Sequence, residues 1–449
     1  MLRRPRCCAS SALVLAAALV VCPPHAGIAR QLSPSPSILP LLPGVDAWTT
    51  TLDDTPSAPA TADDSRIYVP LGSGHVAAYA RETGERIWTA SVLTRWPIVT
   101  AGDVVLVADD GALRELDSAT GVLRRRAPLP GALTAPMTRL DRRLLLVAEP
   151  GLVVAWNTDE WREAWRYALR VGSTTAPVIS GSGVIVTAGD EVTMLDAASG
   201  EPSWTTKLEG TLLAPVAAGE RVFVASSTDT LFALDARRGG LAWPPWRGGS
   251  DVIGITADRK HVYATGLDNV VRAFDQKTGN RPWQRVLEMR IITAPQLAGD
   301  RLLIAGLRPA LALVGTGDGN VHGTHALRDL SVVAQPLLLE AARPEPAVTS
   351  TPTGERVAAS ASDPVAKPAP ASAPVGIVVI TRDNDMIGIR PQPPAAPATP
   401  TTPAAPPADA PDAPAQDPAA AGVSARERRR MPSSMRSADG SENDSRIVS

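Results

Sequence analysis

Cysteine is nearly absent from this chain. Only three of the 449 residues are cysteine, and Cys7, Cys8 and Cys22 all lie close to the N-terminus. If that segment is removed, the mature chain has neither a thiol nor a disulfide. Thiol catalysis and a fold stapled by disulfides are therefore excluded for the rest of the sequence.

A surplus of positive charge is also missing. Lysine and arginine together number 44 against 46 aspartates and glutamates, which gives a formal net charge of −2. A nucleic-acid-binding chain normally has a basic surplus. We therefore expect no nucleic-acid partner.

The first 29 residues have the pattern of an export signal. Arg3 and Arg4 provide a positive start, Ala12–Val21 is apolar, and Gly27–Ala29 offers small residues for cleavage before Arg30. The apolar run is too short to span a bilayer. The sequence therefore predicts an exported protein, located in the periplasm or at the periphery of the outer membrane.

A lipid anchor is the alternative for this segment. Leu19–Cys22 resembles a lipobox, in which the cysteine becomes the lipidated N-terminus, although Val21 stands where a small residue is usual. We expect membrane contact only through a partner or through such an anchor at Cys22.

A repeated ten-residue frame, clearest in Leu195–Trp204, is what the sequence does contain. In it, Asp196 can hold an Asx turn and Gly200 can adopt the positive φ that closes the turn. The frame recurs about every forty residues. Its predicted structural residues are Trp48, Trp88, Trp165, Trp204, Trp243 and Trp283, with Asp117, Asp196, Asp235 and Asp275, and with Gly84, Gly121, Gly200, Gly239 and Gly279.

Two copies of the frame depart from this pattern. Arg125 takes the tryptophan place in one, and Gly323 takes it in another. Each unit also has short apolar segments such as Arg221–Ala225 and Thr230–Leu234. Four short antiparallel strands per unit at this period are typical of a β-propeller blade.

The count of units predicts how the ring closes. Seven complete units run from about 57 to 327, and an eighth starts at Val332–Leu339 and resumes at Ile377–Ile380 without reaching a tryptophan. At the other end of the chain, Gly44–Trp48 is a half-frame with no blade before it. We therefore predict an all-β fold, an eight-bladed β-propeller of four-stranded antiparallel blades, closed by Val45–Leu52. Seven blades with irregular ends are the alternative.

The predicted domain organisation follows from composition. The propeller spans 44–390 and is interrupted by a disordered insert at 341–374 that is rich in proline, alanine, serine and threonine. The other segments are a signal peptide at 1–29, a linker at 30–43 and a disordered proline- and alanine-rich tail at 391–449.

The frames at Leu195–Trp204 and Phe274–Trp283 resemble the tryptophan-docking motif of PQQ-type propeller repeats. This resemblance implies that each tryptophan packs on the next blade of an eight-bladed ring. It leaves two classes open. Quinoprotein dehydrogenases hold pyrroloquinoline quinone and Ca²⁺ on the ring axis, whereas non-catalytic scaffolds such as the BamB family of outer membrane assembly factors do not.

Several features favour the scaffold class. The dehydrogenases are characterised by a vicinal cysteine pair, and the only such pair here, Cys7 and Cys8, lies in the leader. A hard cation needs several converging oxygens, whereas the candidate acids fall in turns between strands: Asp109, Asp110, Asp190, Asp229 and Asp268. We expect no catalytic, cofactor or metal site and no enzymatic activity, with a PQQ-dependent dehydrogenase as the alternative.

Four residues are the predicted interface. Trp96 and Trp246 lie off the periodic place and are expected in connections between blades, beside Arg95 and Arg247. Aromatic and arginine side chains are favoured interface anchors. The predicted function is an exported scaffold for protein–protein interaction, with a BamB-like role in outer membrane β-barrel assembly and with envelope proteins as partners.

Overall fold

The computed structural model describes residues 41–307, 311–327, 332, 334–339 and 376–392. This part of the chain contains 33 β-strands and no helix. The predicted signal peptide and insert lie outside the described residues, as do all but 41–43 of the linker and all but 391–392 of the tail.

The strands form eight sheets that correspond to eight blades, numbered here in chain order. The first strand of the described residues is β1 (Gly44–Thr51), which precedes the first blade. The first four blades consist of β2 (Thr61–Ala62), β3 (Arg66–Leu71), β4 (His75–Ala80) and β5 (Arg86–Ser91); β6 (Val99–Ala101), β7 (Val104–Ala108), β8 (Ala112–Asp117) and β9 (Leu123–Pro128); β10 (Thr138–Leu140), β11 (Arg143–Ala148), β12 (Leu152–Asn157) and β13 (Arg162–Ala168); and β14 (Val178–Ser180), β15 (Gly183–Ala188), β16 (Glu191–Asp196) and β17 (Pro202–Lys207).

Blades five to eight follow the same order. Their strands are β18 (Val216–Ala218), β19 (Arg221–Ala225), β20 (Thr230–Asp235) and β21 (Trp246–Arg247); β22 (Val252–Ala257), β23 (His261–Gly266), β24 (Val270–Asp275) and β25 (Trp283–Val286); β26 (Arg290–Ile291), β27 (Gln296–Ala298), β28 (Arg301–Leu307), β29 (Leu311–Gly315) and β30 (Val321–His325); and β31 (Leu337–Leu338), β32 (Ile377–Ile380) and β33 (Asp385–Pro391). In blade seven the innermost strand is in two pieces, β26 and β27, which both pair with β28.

Each blade is an antiparallel sheet whose first strand lies nearest the ring axis. The first strands of neighbouring blades contact one another, as β14 contacts β18 and β18 contacts β22. Because the strands alternate in direction, one end of the ring holds the turns that carry the repeated frame, such as Ala197–Gly200. We call this the motif end. The other end, the connection end, holds the segments that join successive blades, such as Val92–Ile98.

The N-terminal strand closes the ring, as the half-frame predicts. Strand β1 pairs antiparallel with β33 from Gly44 opposite Pro391 to Thr51 opposite Asp385. The fourth strand of blade eight is therefore supplied by the opposite end of the chain, and the predicted eight-bladed propeller is confirmed. Full closure leaves no blade without a neighbour.

The core lies between the blades. Ile67 and Val69 on β3 and Val105 and Val107 on β7 are fully buried. The middle strands are covered on both faces, so they read as nearly continuous apolar runs rather than as alternating ones. Burying one such side chain contributes roughly 1.5–3 kcal/mol. The fold is therefore stabilised mainly by eight similar interfaces between neighbouring blades.

Candidate partner-binding surface

The repeated frame forms a tight turn at the motif end. Asp196 Oδ1 accepts hydrogen bonds from the backbone N–H groups of Ala198 at 3.0 Å and Ser199 at 2.8 Å. The N–H of Gly200, at φ +77°, donates to the carbonyl oxygen of Asp196 at 2.8 Å. The backbone and hydroxyl of Ser199 hold the pKa of Asp196 below its usual range.

The tryptophan of one blade packs on the frame of the next blade. Trp165 lies against Gly200, where a Cβ would sit 2.5 Å from Trp165 Cε3, and its Nε1 donates to the carbonyl oxygen of Ala197 at 3.0 Å. The other bonds of this kind run from Trp48 to Arg81 (3.2 Å), Trp88 to Ser118 (3.0 Å), Trp204 to Ala236 (3.0 Å), Trp243 to Gln276 (3.3 Å) and Trp283 to Thr316 (3.0 Å). These indoles are engaged within the ring.

The junction of blades two and three uses a different arrangement. Arg125, at the tryptophan place, lies over the ring of Trp161 with Cζ 4.6 Å from the ring centre. Trp161 occupies the glycine place of the next frame, at φ +55°. Arg125 also binds the buried Glu115 with Nε at 3.0 Å and Nη2 at 2.5 Å. The aromatic ring of this junction therefore comes from blade three, and the side chain that contacts it from blade two is an arginine. The signal for this in the sequence is that Trp161 stands four residues after Asn157, at the glycine place.

The junction of blades seven and eight has no tryptophan because blade eight has no turn to receive one. Its third and fourth strands, β33 and β1, come from opposite ends of the chain. The backbone of Leu42 fills the space instead, and a Cβ on Gly323 would lie 2.8 Å from the Leu42 carbonyl oxygen. Leu42 itself is only 1% exposed. Gly323 therefore makes room for the incoming chain.

The acidic side chains of the described residues do not come together as a metal site would require. No group of three or more histidine, cysteine, aspartate or glutamate side chains converges in the described ranges. Asp109 accepts two backbone N–H groups of its own turn and binds Arg114, and Asp268 binds Arg272. These carboxylates hold turns, and they do not form the set of converging oxygens that Ca²⁺ prefers.

At the connection end, Arg95 and Trp96 lie in the segment between β5 and β6, as predicted. The Arg95 side chain is 71% exposed and pairs with Asp110 at 3.3 Å. Trp96 is half-buried against the core of blades two and three. Leu93, in the same segment, is 53% exposed. This segment therefore presents an apolar and a cationic side chain to solvent.

The predicted location of Trp246 is wrong. It lies on β21, the outer strand of blade five, with its ring 5.0 Å from that of Phe274 in blade six and with Arg272 over it at 5.5 Å. The strand resumes there because the indole packs on the next blade. The predicted location of Arg247 in a connection is also wrong, because it follows on the same strand. There it pairs with Glu209 at 2.5 Å. Trp246 is thus a second tryptophan within the junction of blades five and six.

The connection end also carries two neighbouring acids, Asp229 and Asp251. The nearby Asp251 carboxyl, together with burial, raises the pKa of Asp229. Val171 and Leu267, on other segments of this end, are 49% and 45% exposed.

None of the described residues forms a helix with the length and apolar character needed to cross a bilayer.

A family profile and a curated relative both match most of this chain. The profile of the family described as "Outer membrane protein assembly factor BamB" matches residues 42–126, 125–211 and 188–369. The outer membrane protein assembly factor BamB of Bordetella pertussis is 24% identical over 301 residues, which cover 66% of this chain and 72% of the relative.

Two solved structures show the same fold. BamB from Moraxella catarrhalis superposes with a TM-score of 0.53 at 17% identity, over 60% of this chain and 85% of that chain. The quinohemoprotein alcohol dehydrogenase ADHIIG from Pseudomonas putida HK5 superposes with a TM-score of 0.51 at 12% identity, over 66% of this chain and 70% of that chain. These similarities support the propeller fold. The chain belongs to the family of the outer membrane protein assembly factor BamB.

Proposed function

We propose that this chain is a non-catalytic scaffold of the bacterial envelope that takes part in the assembly of outer membrane β-barrel proteins. The observation that carries the proposal is the family match over three segments spanning residues 42–369. The engagement of the frame residues within the ring supports it, because it leaves recognition to the surface between the frames.

The connection end is the proposed contact surface, with Leu93, Arg95, Trp96 and Arg247 as its anchors. Arg95 and Arg247 are exposed and each holds one carboxylate partner. Exposed ion pairs of this kind contribute little to folding, typically 0–1 kcal/mol. Their guanidinium groups are therefore free to exchange partners at low cost when another protein binds.

The test is co-purification from the envelope after mild cross-linking. The wild-type chain is expected to recover the central β-barrel subunit of the assembly machinery, and the double variant Leu93→Ser/Arg95→Glu is expected to recover at least tenfold less, on the order of 1.4 kcal/mol. Arg162→Glu is the matched control, because Arg162 is similarly exposed at 72% and pairs with Glu160 at 2.6 Å.

Two results would overturn the proposal. Recovery of no outer membrane assembly protein by the wild-type chain would remove the assembly role. Saturable binding of pyrroloquinoline quinone with Ca²⁺, accompanied by dye reduction, would remove the non-catalytic assignment.

A further inference from the structure

An arc of exposed aliphatic side chains follows the outer rim at the motif end. In each blade of this arc, the aliphatic side chain stands one to three residues after the glycine of the frame. The arc crosses four successive blades, seven, eight, one and two, and consists of Val321 (45% exposed), Val45 (45%), Ile87 (47%), Val122 (63%) and Leu123 (46%).

The fold does not require aliphatic residues at this place. The same three positions read Arg162-Glu163-Ala164 in blade three, Glu201-Pro202-Ser203 in blade four and Asn280-Arg281-Pro282 in blade six. Blade five has an exposed leucine, Leu241, but lies outside the arc. One side of the ring therefore has an apolar rim and the opposite side has a mostly polar one.

The arc is centred on the point where the rest of the chain joins the ring. The N–H of Gln392 donates to the carbonyl oxygen of Pro43 at 3.1 Å, and the N–H of Leu339 donates to that of Gly376 at 2.9 Å. The predicted export leader, the insert and the tail therefore all connect at the motif end of blade eight. The tail includes the basic cluster Arg426–Arg430.

We propose that the rim of blades seven, eight, one and two is a membrane-contact surface, whose aliphatic side chains enter the headgroup region of a lipid bilayer. Anchors of protein interfaces are mainly tryptophan, tyrosine and arginine, clustered at one centre. Here the side chains are valine, isoleucine and leucine, spread over four blades. Such a set suits a continuous, deformable surface such as the headgroup region of a bilayer.

Flotation with vesicles of phosphatidylethanolamine and phosphatidylglycerol tests the proposal. All samples carry Cys22→Ala, so that no acyl chain contributes to binding. The wild-type chain is expected to float with the vesicles. The variant Ile87→Ser/Val122→Ser/Leu123→Ser is expected to bind the vesicles at least about tenfold more weakly. The matched control, Leu267→Ser/Val286→Ser/Leu307→Ser, removes equally exposed aliphatic side chains away from the arc and is expected to float like the wild type.

Three results would overturn the assignment. The first is a wild-type chain that does not float, and the second is an equal loss in the control variant. The third is an arc variant that still floats but no longer recovers an envelope protein, which would make the arc a protein-binding surface. If the triple variant loses its thermal unfolding transition, the single variant Val122→Ser replaces it in the flotation experiment. Co-purification is a separate measurement. A negative flotation result therefore leaves the proposed assembly role intact, and a negative co-purification result leaves the membrane-contact proposal intact.

Discussion

At the scale of single residues, the frame tryptophans should dominate stability. Trp165 is 8% exposed and bridges blades three and four. Trp165→Ala is expected to lower the free energy of unfolding by about 3–5 kcal/mol, because it leaves a cavity against Gly200. Urea unfolding followed by near-ultraviolet circular dichroism measures this loss.

Trp165→Phe separates packing from hydrogen bonding. The phenyl ring keeps most of the contact, and the carbonyl oxygen of Ala197 still accepts a bond from Arg143 Nη1 at 2.5 Å. We expect a loss of only about 1 kcal/mol. A loss as large as that of the alanine variant would show that the indole N–H, rather than the ring, holds the two blades together.

The frame aspartates should give the fold an acid-sensitive contribution. The hydrogen bond from Arg124, with further bonds from Thr120, lowers the pKa of Asp117 to about 2. The pKa of an aspartate in an unfolded chain is about 3.9. The ionised carboxylate therefore stabilises the fold fully above about pH 4, and this stabilisation is lost as the pH falls through about 2.

Asp117→Asn tests the sign of this effect. Asn157 already holds the equivalent turn through two backbone N–H groups at 2.9 and 3.0 Å, so the variant should fold. Its melting temperature should lie below that of the wild type at neutral pH, and the difference should shrink between about pH 4 and pH 2. A difference that stays constant over this range would contradict the linkage.

At the scale of strands and turns, placing a tryptophan at Gly323, which stands at the tryptophan place of its frame, should destabilise the fold. Gly323→Trp restores the repeat pattern but drives a side chain into Leu42, so we expect destabilisation of about 1–3 kcal/mol. Gly317→Ala is the control, because a Cβ there meets nothing within 4 Å, and it should change stability by less than about 0.5 kcal/mol. Melting temperatures of both variants decide the point, and a stabilised Gly323→Trp would contradict it.

The copies of the frame without a tryptophan show which features of the fold cannot be predicted from the sequence. Spacing and turn chemistry predicted the blades and the closing strand, because each frame is a local pattern. The exchange between Arg125 and Trp161 was not predicted, because it depends on which residues of the next blade stand opposite. Trp246 was expected in a connection because it lies off the periodic place of the frame, whereas the structure places it on β21, directly after Pro244 and Pro245.

At the scale of the whole molecule, closure by β1 makes the ring depend on both ends of the chain. Deleting residues 30–52 removes the partner of β33 and leaves a free strand edge. We expect aggregation on size-exclusion chromatography and loss of the cooperative melting transition. Deleting 393–449, which removes no described residue, should leave the melting temperature unchanged.

Complementation in trans makes this test specific for closure. A synthetic peptide of residues 41–52 carries both the Leu42 that fills the last junction and the residues of β1 that pair with β33. Added to the chain lacking 30–52, it should restore a monomeric species and a melting transition that rises with peptide concentration, because binding stabilises only the closed ring. A peptide with Leu42→Asp and Trp48→Ala is the control and should not restore either. If the truncated chain is already monomeric and melts like the wild type, the ring does not need its N-terminal strand.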